Sequence, residues 1–262
     1  MEYASTLPDE QLSDAKLPNG LTHAHMACLT RDLSFLNRLL GIPDCVEHIT
    51  QKCSAIHVDE LALLDPVEGK PQMPAMNGDP ALHYALFTGW TDGAVTLINR
   101  LKLDNKLEPT INNTDNSSLN LAAGSCGLEV VKLLCDSLGD DATSGLINRQ
   151  TSPGGSAPLH HNVKTGKPDV CVWLLKNGAE KSISLKDTGG CTPVDHLRQR
   201  LEKMEQSLEK LNQLSERSDA DNLKMERLKK EFDEWKKLLP KLDPQSQEAE
   251  AGLASDMKSL KV

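Results

Sequence analysis

Apolar positions recur at helical spacing along the middle of this 262-residue chain, in pairs of short segments separated by polar, turn-rich stretches. The second member of each pair is the clearer: Ala94-Val95 with Leu97-Ile98, Val130-Val131 with Leu133-Leu134, and Val170 with Leu174-Leu175 each give a helix one apolar face. The first members read Gly78-Asp-Pro-Ala-Leu82-His83-Tyr-Ala85, Ser117-Ser-Leu119-Asn120-Leu-Ala122-Ala123, Gly155-Ser-Ala-Pro-Leu159-His160 and Gly190-Cys-Thr192-Pro193-Val194-Asp195. Pro158 and Pro193 fit a first helical turn, where a missing N–H costs nothing. Ser117 and Thr192 stand where a hydroxyl can cap free helix N–H groups. Ala85, Ala122 and Ala123 are small enough for a neighbouring helix to pack closely. Gly89 and Gly166 end the first helix of their pairs, where a left-handed turn favours glycine. Cys126 stands at the matching point of the third unit with Gly127 after it, which displaces that turn by one residue.

After Leu197 the pattern changes. Leu197, Leu201, Met204, Leu208 and Leu211 follow a 4-3-4-3 spacing, and Met225, Leu228, Phe232, Trp235 and Leu239 form a second seam that Pro240 is expected to stop. A polar stretch from Ser215 to Ala220 lies between them, so the two segments predict an antiparallel helical hairpin. Each helix holds only about two and a half heptads, which favours a hairpin packed on its own chain over a standalone coiled coil; oligomerisation through these helices stays open. Residues 241–262 are polar and are expected to be a disordered tail.

The paired segments repeat in phase. Aligned on the residue before His25, His83, Asn120, His160 and Asp195, successive units lie 58, 37, 40 and 35 residues apart. This order of residue types resembles the ankyrin repeat, whose unit is about 33 residues long. The resemblance covers roughly 19–40 and 77–197, closest in the units of Ser117 and Gly155 and most degenerate at Gly20–Leu40. It implies an all-α ankyrin-repeat solenoid of helix-turn-helix units joined by hairpin loops, followed by the helical hairpin. The expected domains are 1–76 (N-terminal cap, degenerate repeat and inserted helical segment), 77–196 (repeats), 197–240 (hairpin) and 241–262 (tail). The family's partners lie across hairpin tips and first helices, here Met76, Asn77, Asp79, Asn113, Thr114, Asn116, Pro153 and Ser156 at the tips and Phe87, Thr88, Ser125, Lys164 and Thr165 on the helices. Trp90, where the family usually has His, is a candidate interface anchor or a packing residue. Recurrence also assigns His160 a local hydrogen-bonding role within the stack instead of a catalytic one, whereas His161 is expected to be exposed. Asn162 replaces a small residue and needs a hydrogen-bond partner if buried.

The unit of Gly20 is separated from the next by an insertion within 41–76, where short helices through Ile56 and from Asp59 to Leu64 are expected. It carries Cys45, His48, Cys53 and His57, a tolerable zinc spacing. No turn-forming glycine separates these residues, and on a helix they would fan over about half the circumference. A short helix covering the first unit is the favoured reading. The stretches Lys102–Asn113 and Asp136–Pro153 are expected as long hairpin fingers.

Composition narrows the function. Aromatic residues are 3% and net charge is −9, which suits a thin aliphatic core and disfavours nucleic acid or an anionic membrane as partner. The start of the sequence lacks a basic and then apolar leader pattern, and seven cysteines without a CxxC fit reduced thiols, so a cytoplasmic location is expected. No GxSxG, P-loop or HExxH motif occurs. The expectation is a non-enzymatic adaptor or scaffold with no cofactor or metal, binding a protein partner on its concave face. Two alternatives are a constitutive subunit of a large assembly, docked through the hairpin and the 41–76 segment, and a pathogen effector that captures a host protein.

Overall fold

The computed structural model describes residues 12, 21–42, 45–53, 78–108, 111–113, 115–214 and 217–243. The described residues are predominantly helical, with one isolated antiparallel bridge between Ile111 and Ser117 and no longer strand among them. The helices are α1 (His23–Thr30), α2 (Leu33–Leu40), α3 (Cys45–Thr50), α4 (Ala81–Phe87), α5 (Thr91–Leu103), α6 (Ser118–Ser125), α7 (Leu128–Leu138), α8 (Asp140–Leu146), α9 (Pro158–Thr165), α10 (Pro168–Lys176), α11 (Pro193–Asn212) and α12 (Asp219–Leu242), with a tight 3-10 turn at Ala179–Ser184.

The helices form two parallel files. Helices α1, α4, α6, α9 and α11 pack in succession as an inner file, while α2, α5, α7, α10 and α12 pack in succession behind them. Each neighbouring pair is one layer. The apolar faces seen in the sequence fill the space between files: Leu36, Leu97, Ile98, Val130, Val131, Leu134, Val170 and Leu174 are buried. Ala85, Ala122 and Ala123 are fully buried between layers, as their size predicts.

The third residue of every inner helix links it to its surroundings. His25 Nδ1 accepts from the Thr22 N–H at 3.0 Å, and its Nε2 donates to the Asp79 carbonyl of the next layer at 3.0 Å. His160 repeats this, with Nδ1 to the Ala157 N–H at 3.2 Å and Nε2 to the Leu185 carbonyl at 3.1 Å. Asn120 does the same work with an amide: Oδ1 accepts from the Ser117 N–H at 3.3 Å and Nδ2 donates to the Ser156 carbonyl at 3.1 Å. Asp195 accepts from the Thr192 N–H at 2.9 Å and hydroxyl at 2.7 Å. An ionised carboxylate cannot donate, and Asp195 stands in the last layer, where no further layer needs a donor. The fifth member, His83, meets Pro80, which has no N–H to offer. Its Nδ1 pairs instead with the buried Asp79 carboxylate at 2.6 Å, which also accepts from Asn112 Nδ2 at 3.0 Å.

The ends of the inner helices are joined as well. Carbonyls there normally lack partners. Cys126 Sγ lies 3.4 Å from the Leu86 carbonyl, Asn162 Nδ2 donates to Ala123 at 3.0 Å, Thr165 Oγ1 to Gly124 at 2.9 Å, and Arg200 Nη1 to Val163 at 3.1 Å. Asn162 therefore makes the junction it enters specifically hydrogen-bonded. Gly89 takes the left-handed conformation (φ 64°) expected at a helix end. Gly166 does not: with φ −81° its requirement is close approach, since a Cβ there would lie 2.4 Å from the Ala123 carbonyl oxygen. The turn at Cys126-Gly127 also holds no left-handed residue, both having negative φ, so no displaced glycine turn exists there.

The C-terminal helices depart from the expected boundary. Helix α11 starts at Pro193 with Thr192 as its cap, so a division between 196 and 197 would cut one continuous helix. Its first turns are the inner helix of the last layer, and α12 folds back antiparallel as the outer one. Arg200 joins them: its guanidinium lies 4.8 Å above the Trp235 ring and Nη2 is 2.5 Å from Glu231 Oε1. Trp235 and Leu242 are fully buried. Helix α12 also runs through Pro240 to Leu242 instead of stopping before it. The missing N–H is tolerated because Leu242 is buried and Asp243 pairs with Arg198 beyond it.

Two further expectations are altered. The stretch Asp136–Pro153 contains α8 and is not a simple finger. In the insertion, α3 ends at Thr50, well before Ile56. The Cys53 N–H bonds the Asp79 carbonyl at 3.1 Å and the Gly78 N–H bonds the Cys53 carbonyl at 3.0 Å, so Cys53 is paired with the start of the next unit. The helix expected at 59–64 and the tail beyond 243 lie outside the described residues.

Trp235→Ala is expected to lower unfolding free energy by about 3–5 kcal/mol, because the ring is fully buried under the last layer. Leu223→Ala, on the exposed part of the same helix, is expected to change it by less than about 0.5 kcal/mol. Urea denaturation of the two variants beside the parent checks both.

Candidate functional site

The inner file presents one register of side chains at its rim. Seven residues after each cap stand Leu29, Phe87, Gly124, Lys164 and Gln199, and eight after it Thr30, Thr88, Ser125, Thr165 and Arg200. The first three layers of this rim are apolar or small and the last two are polar. Ser125, Lys164 and Thr165 are exposed, and Phe87 and Thr88 half-buried. The hydroxyls are partly committed to the fold: Thr30 Oγ1 donates to the Met26 carbonyl at 2.9 Å, Thr88 Oγ1 to Tyr84 at 2.9 Å and Thr165 Oγ1 to His161 at 3.2 Å. These bonds draw on the unfilled carbonyls of the last helical turn. Arg31 reaches across from the first layer to the Thr88 carbonyl.

At the tips, Asn113 and Pro153 are exposed and Asn116 is half-buried, with its N–H on Asn112 Oδ1 at 2.9 Å. Three expected surface residues are interior. Asp79 is fully buried, because its carboxylate serves His83 and Asn112. Ser156 is buried, with its N–H on Thr151 Oγ1 at 3.1 Å and its carbonyl taken by Asn120. Trp90 is 7% exposed and packs flat on Gly93, where a Cβ would meet the ring at 2.0 Å. As placed, none of the three can anchor a partner. Met76, Asn77 and Thr114 lie outside the described residues.

His161 is half-buried, not exposed. Its Nε2 is buried and finds no hydrogen-bond partner among the described residues. Burial, reinforced by the Lys164 ammonium and the neighbouring His160 ring, lowers its pKa to about 4. Burial likewise lowers His25 and His160, which fits the neutral rings their hydrogen bonds require.

Beside Lys164 lies a group that the repeat pattern does not single out. Lys164 Nζ is 3.1 Å from Asp187 Oδ2, and His196 Nε2 is 2.7 Å from the same oxygen. Burial alone would raise the Asp187 carboxyl, but hydrogen bonds from His196, Lys164 and the Cys191 N–H outweigh it and hold the group well below the usual carboxylate range. The available signal in the sequence was Asp187-x3-Cys191-x4-His196 with Gly189-Gly190 inside it.

The other cysteines with described side chains are buried. Cys28, Cys126, Cys135 and Cys171 are buried, and desolvation pushes the thiols of Cys126, Cys135 and Cys171 up to about 12. Cys53 lies buried against the Tyr84 hydroxyl at 3.3 Å. The side chains of Cys45 and His48, and all of His57, lie outside the described residues. No helix among the described residues is long and apolar enough to cross a membrane. No protein-family model matches the chain, and no curated protein matches it.

The buried histidines make stability depend on pH. A ring with a folded pKa near 4 and an unfolded pKa of about 6.5 binds its proton more readily when unfolded. The stabilisation is complete above about 6.5 and is lost as pH falls toward 4. The urea midpoint is expected to fall between pH 7 and pH 4.5, and His161→Leu is expected to flatten part of that slope. Denaturation of both proteins across this range checks it.

Proposed function

We propose that this chain is an ankyrin-type solenoid acting as a non-enzymatic adaptor or scaffold, and that it binds a protein partner across the rim formed by Phe87, Thr88, Ser125, Lys164 and Thr165, with Asn113, Asn116 and Pro153 at the tips. The observation that carries this reading is the register. Five stacked inner helices bring the same two positions side by side; the first changes from layer to layer (Leu29, Phe87, Gly124, Lys164, Gln199), while the second is Thr or Ser in the first four layers. A repeated scaffold with one varied rim position suits recognition of an extended protein surface. The apolar half of the rim, at Leu29 and Phe87, suits an apolar part of the partner, and Lys164 suits a polar part.

A second reading is supported by the far end of the helical hairpin, where Leu214 is 44% and Leu223 48% exposed. Exposed leucines at the tip of an arm suit docking into a larger assembly or onto a second copy.

Alanine at Phe87, Thr88 and Lys164 together is expected to abolish partner capture from extracts of the native cell while the circular dichroism spectrum stays unchanged. Capture that survives this change but is lost on Leu214→Asp with Leu223→Asp would move the binding site to the hairpin.

A further inference from the structure

The junction of the last two layers holds donor atoms that the proposed partner face leaves unused. One carboxylate oxygen of Asp187, Cys191 Sγ and His196 Nε2 all lie within 4.8 Å of one another. Their convergence is built by the turn before α11. The Asp187 N–H bonds the Cys191 carbonyl at 2.9 Å, and the Gly190 N–H bonds the Asp187 carbonyl at 2.9 Å. Oδ1 of Asp187 accepts from the N–H groups of Gly189 at 3.0 Å and Cys191 at 3.1 Å. The carboxylate is thus fixed through one oxygen, and the other, Oδ2, is aimed at His196. Helix α11 supplies His196 from its first turns, held in place by the buried Val194 and Leu197 on either side. Cys191 is half-buried, and its sulfur makes only long contacts, 3.9 Å to the Gly189 carbonyl and 3.9 Å to Gln199 Nε2.

We propose that Asp187, Cys191 and His196 form a binding site for a divalent cation of the zinc type, with a fourth position open to water. A thiolate, an imidazole and a carboxylate are the three donor types that zinc accepts, and the sulfur and nitrogen discriminate against magnesium and calcium. The backbone bonds to Asp187 Oδ1 are the outer-shell support that orients a carboxylate ligand. The Gly189-Gly190 turn lets the donors converge, which is what the Cys45–His57 spacing lacks. Binding requires the Cys191 thiol to release a proton to solvent and the His196 ring to carry its proton on Nδ1, which frees Nε2 for the metal, so affinity rises with pH. Lys164 is the competing cation, since its ammonium stands on the same Asp187 oxygen. Its side chain is solvent-accessible and withdraws when the metal enters, so occupancy frees Lys164 at the rim of the inner file.

The test is titration of the full chain with Co²⁺, read by the near-ultraviolet thiolate-to-cobalt band and the visible bands of a tetrahedral site. One equivalent is expected to saturate these bands, and Zn²⁺ to displace it. Cys191→Ser, a conservative change at a half-buried position, is expected to abolish the thiolate band without altering the metal-free melting curve. Lys164→Ala is expected to tighten binding several-fold. The absence of a thiolate band in the parent chain, a band that survives Cys191→Ser, or weaker binding in Lys164→Ala would each overturn the assignment.

Discussion

The stack depends on a side chain that, in three of its five layers, accepts a hydrogen bond on one side and donates one on the other. Three residues into an inner helix, His25, Asn120 and His160 take the N–H of their own cap and give a hydrogen to a carbonyl of the following layer. Apart from the half-buried Leu185, the groups in these bridges are buried, where an unpaired donor or acceptor costs about 1–3 kcal/mol. Apolar contact between layers is tolerant of sliding, but a hydrogen bond between fixed backbone groups is not. The bridges therefore set the register in which the aliphatic faces meet, and the alanines between layers let the backbones come close enough to form them.

The same constraint explains the exceptions. Pro80 removes the N–H that its layer should offer, and the link is rebuilt through the buried Asp79 carboxylate, His83 and Asn112. Asp195 can only accept, which suits a terminal layer. That layer still needs cover, and α12 supplies it by folding back with Trp235 buried and Arg200 tying α9, α11 and α12 together. The helical hairpin is consequently the last layer of the stack with an arm extending from it. With the interior positions committed in this way, variation is left to the rim of the inner file and to the tips, and there the proposed binding function finds its residues.

Much of this was legible in the sequence. Inner and outer helices, caps at Ser117 and Thr192, buried alanines and the local role of His160 all follow from spacing and from the chemistry of helix ends. What was not legible needed three-dimensional neighbours. Asp79 and Ser156 sit at turn positions that read as exposed tips, but the side chain or carbonyl of each is consumed by an adjacent layer. Trp90 reads equally as an anchor or a packing residue, and its burial against Gly93 decides for packing. Gly166 shares its residue type with Gly89 but not its reason, which is the nearby Ala123 carbonyl. Pro240 ends a helix by local rules, and the buried Leu242 overrides them. Asp187 and His196 belong to a turn and a helix of the next layer, and only the stacking of two layers brings them near Lys164.

The bridge in the third layer offers the most direct measurement. Urea denaturation of the parent, Asn120→Ala and Asn120→His compares loss of the bridge with its replacement by the residue that other layers use. The account predicts that alanine lowers stability by about 2–4 kcal/mol, since it strands the Ser117 N–H and the Ser156 carbonyl. It predicts that histidine recovers most of that loss. An alanine variant as stable as the parent, or a histidine variant no better than alanine, would contradict the claim that these side chains hold the layers in register.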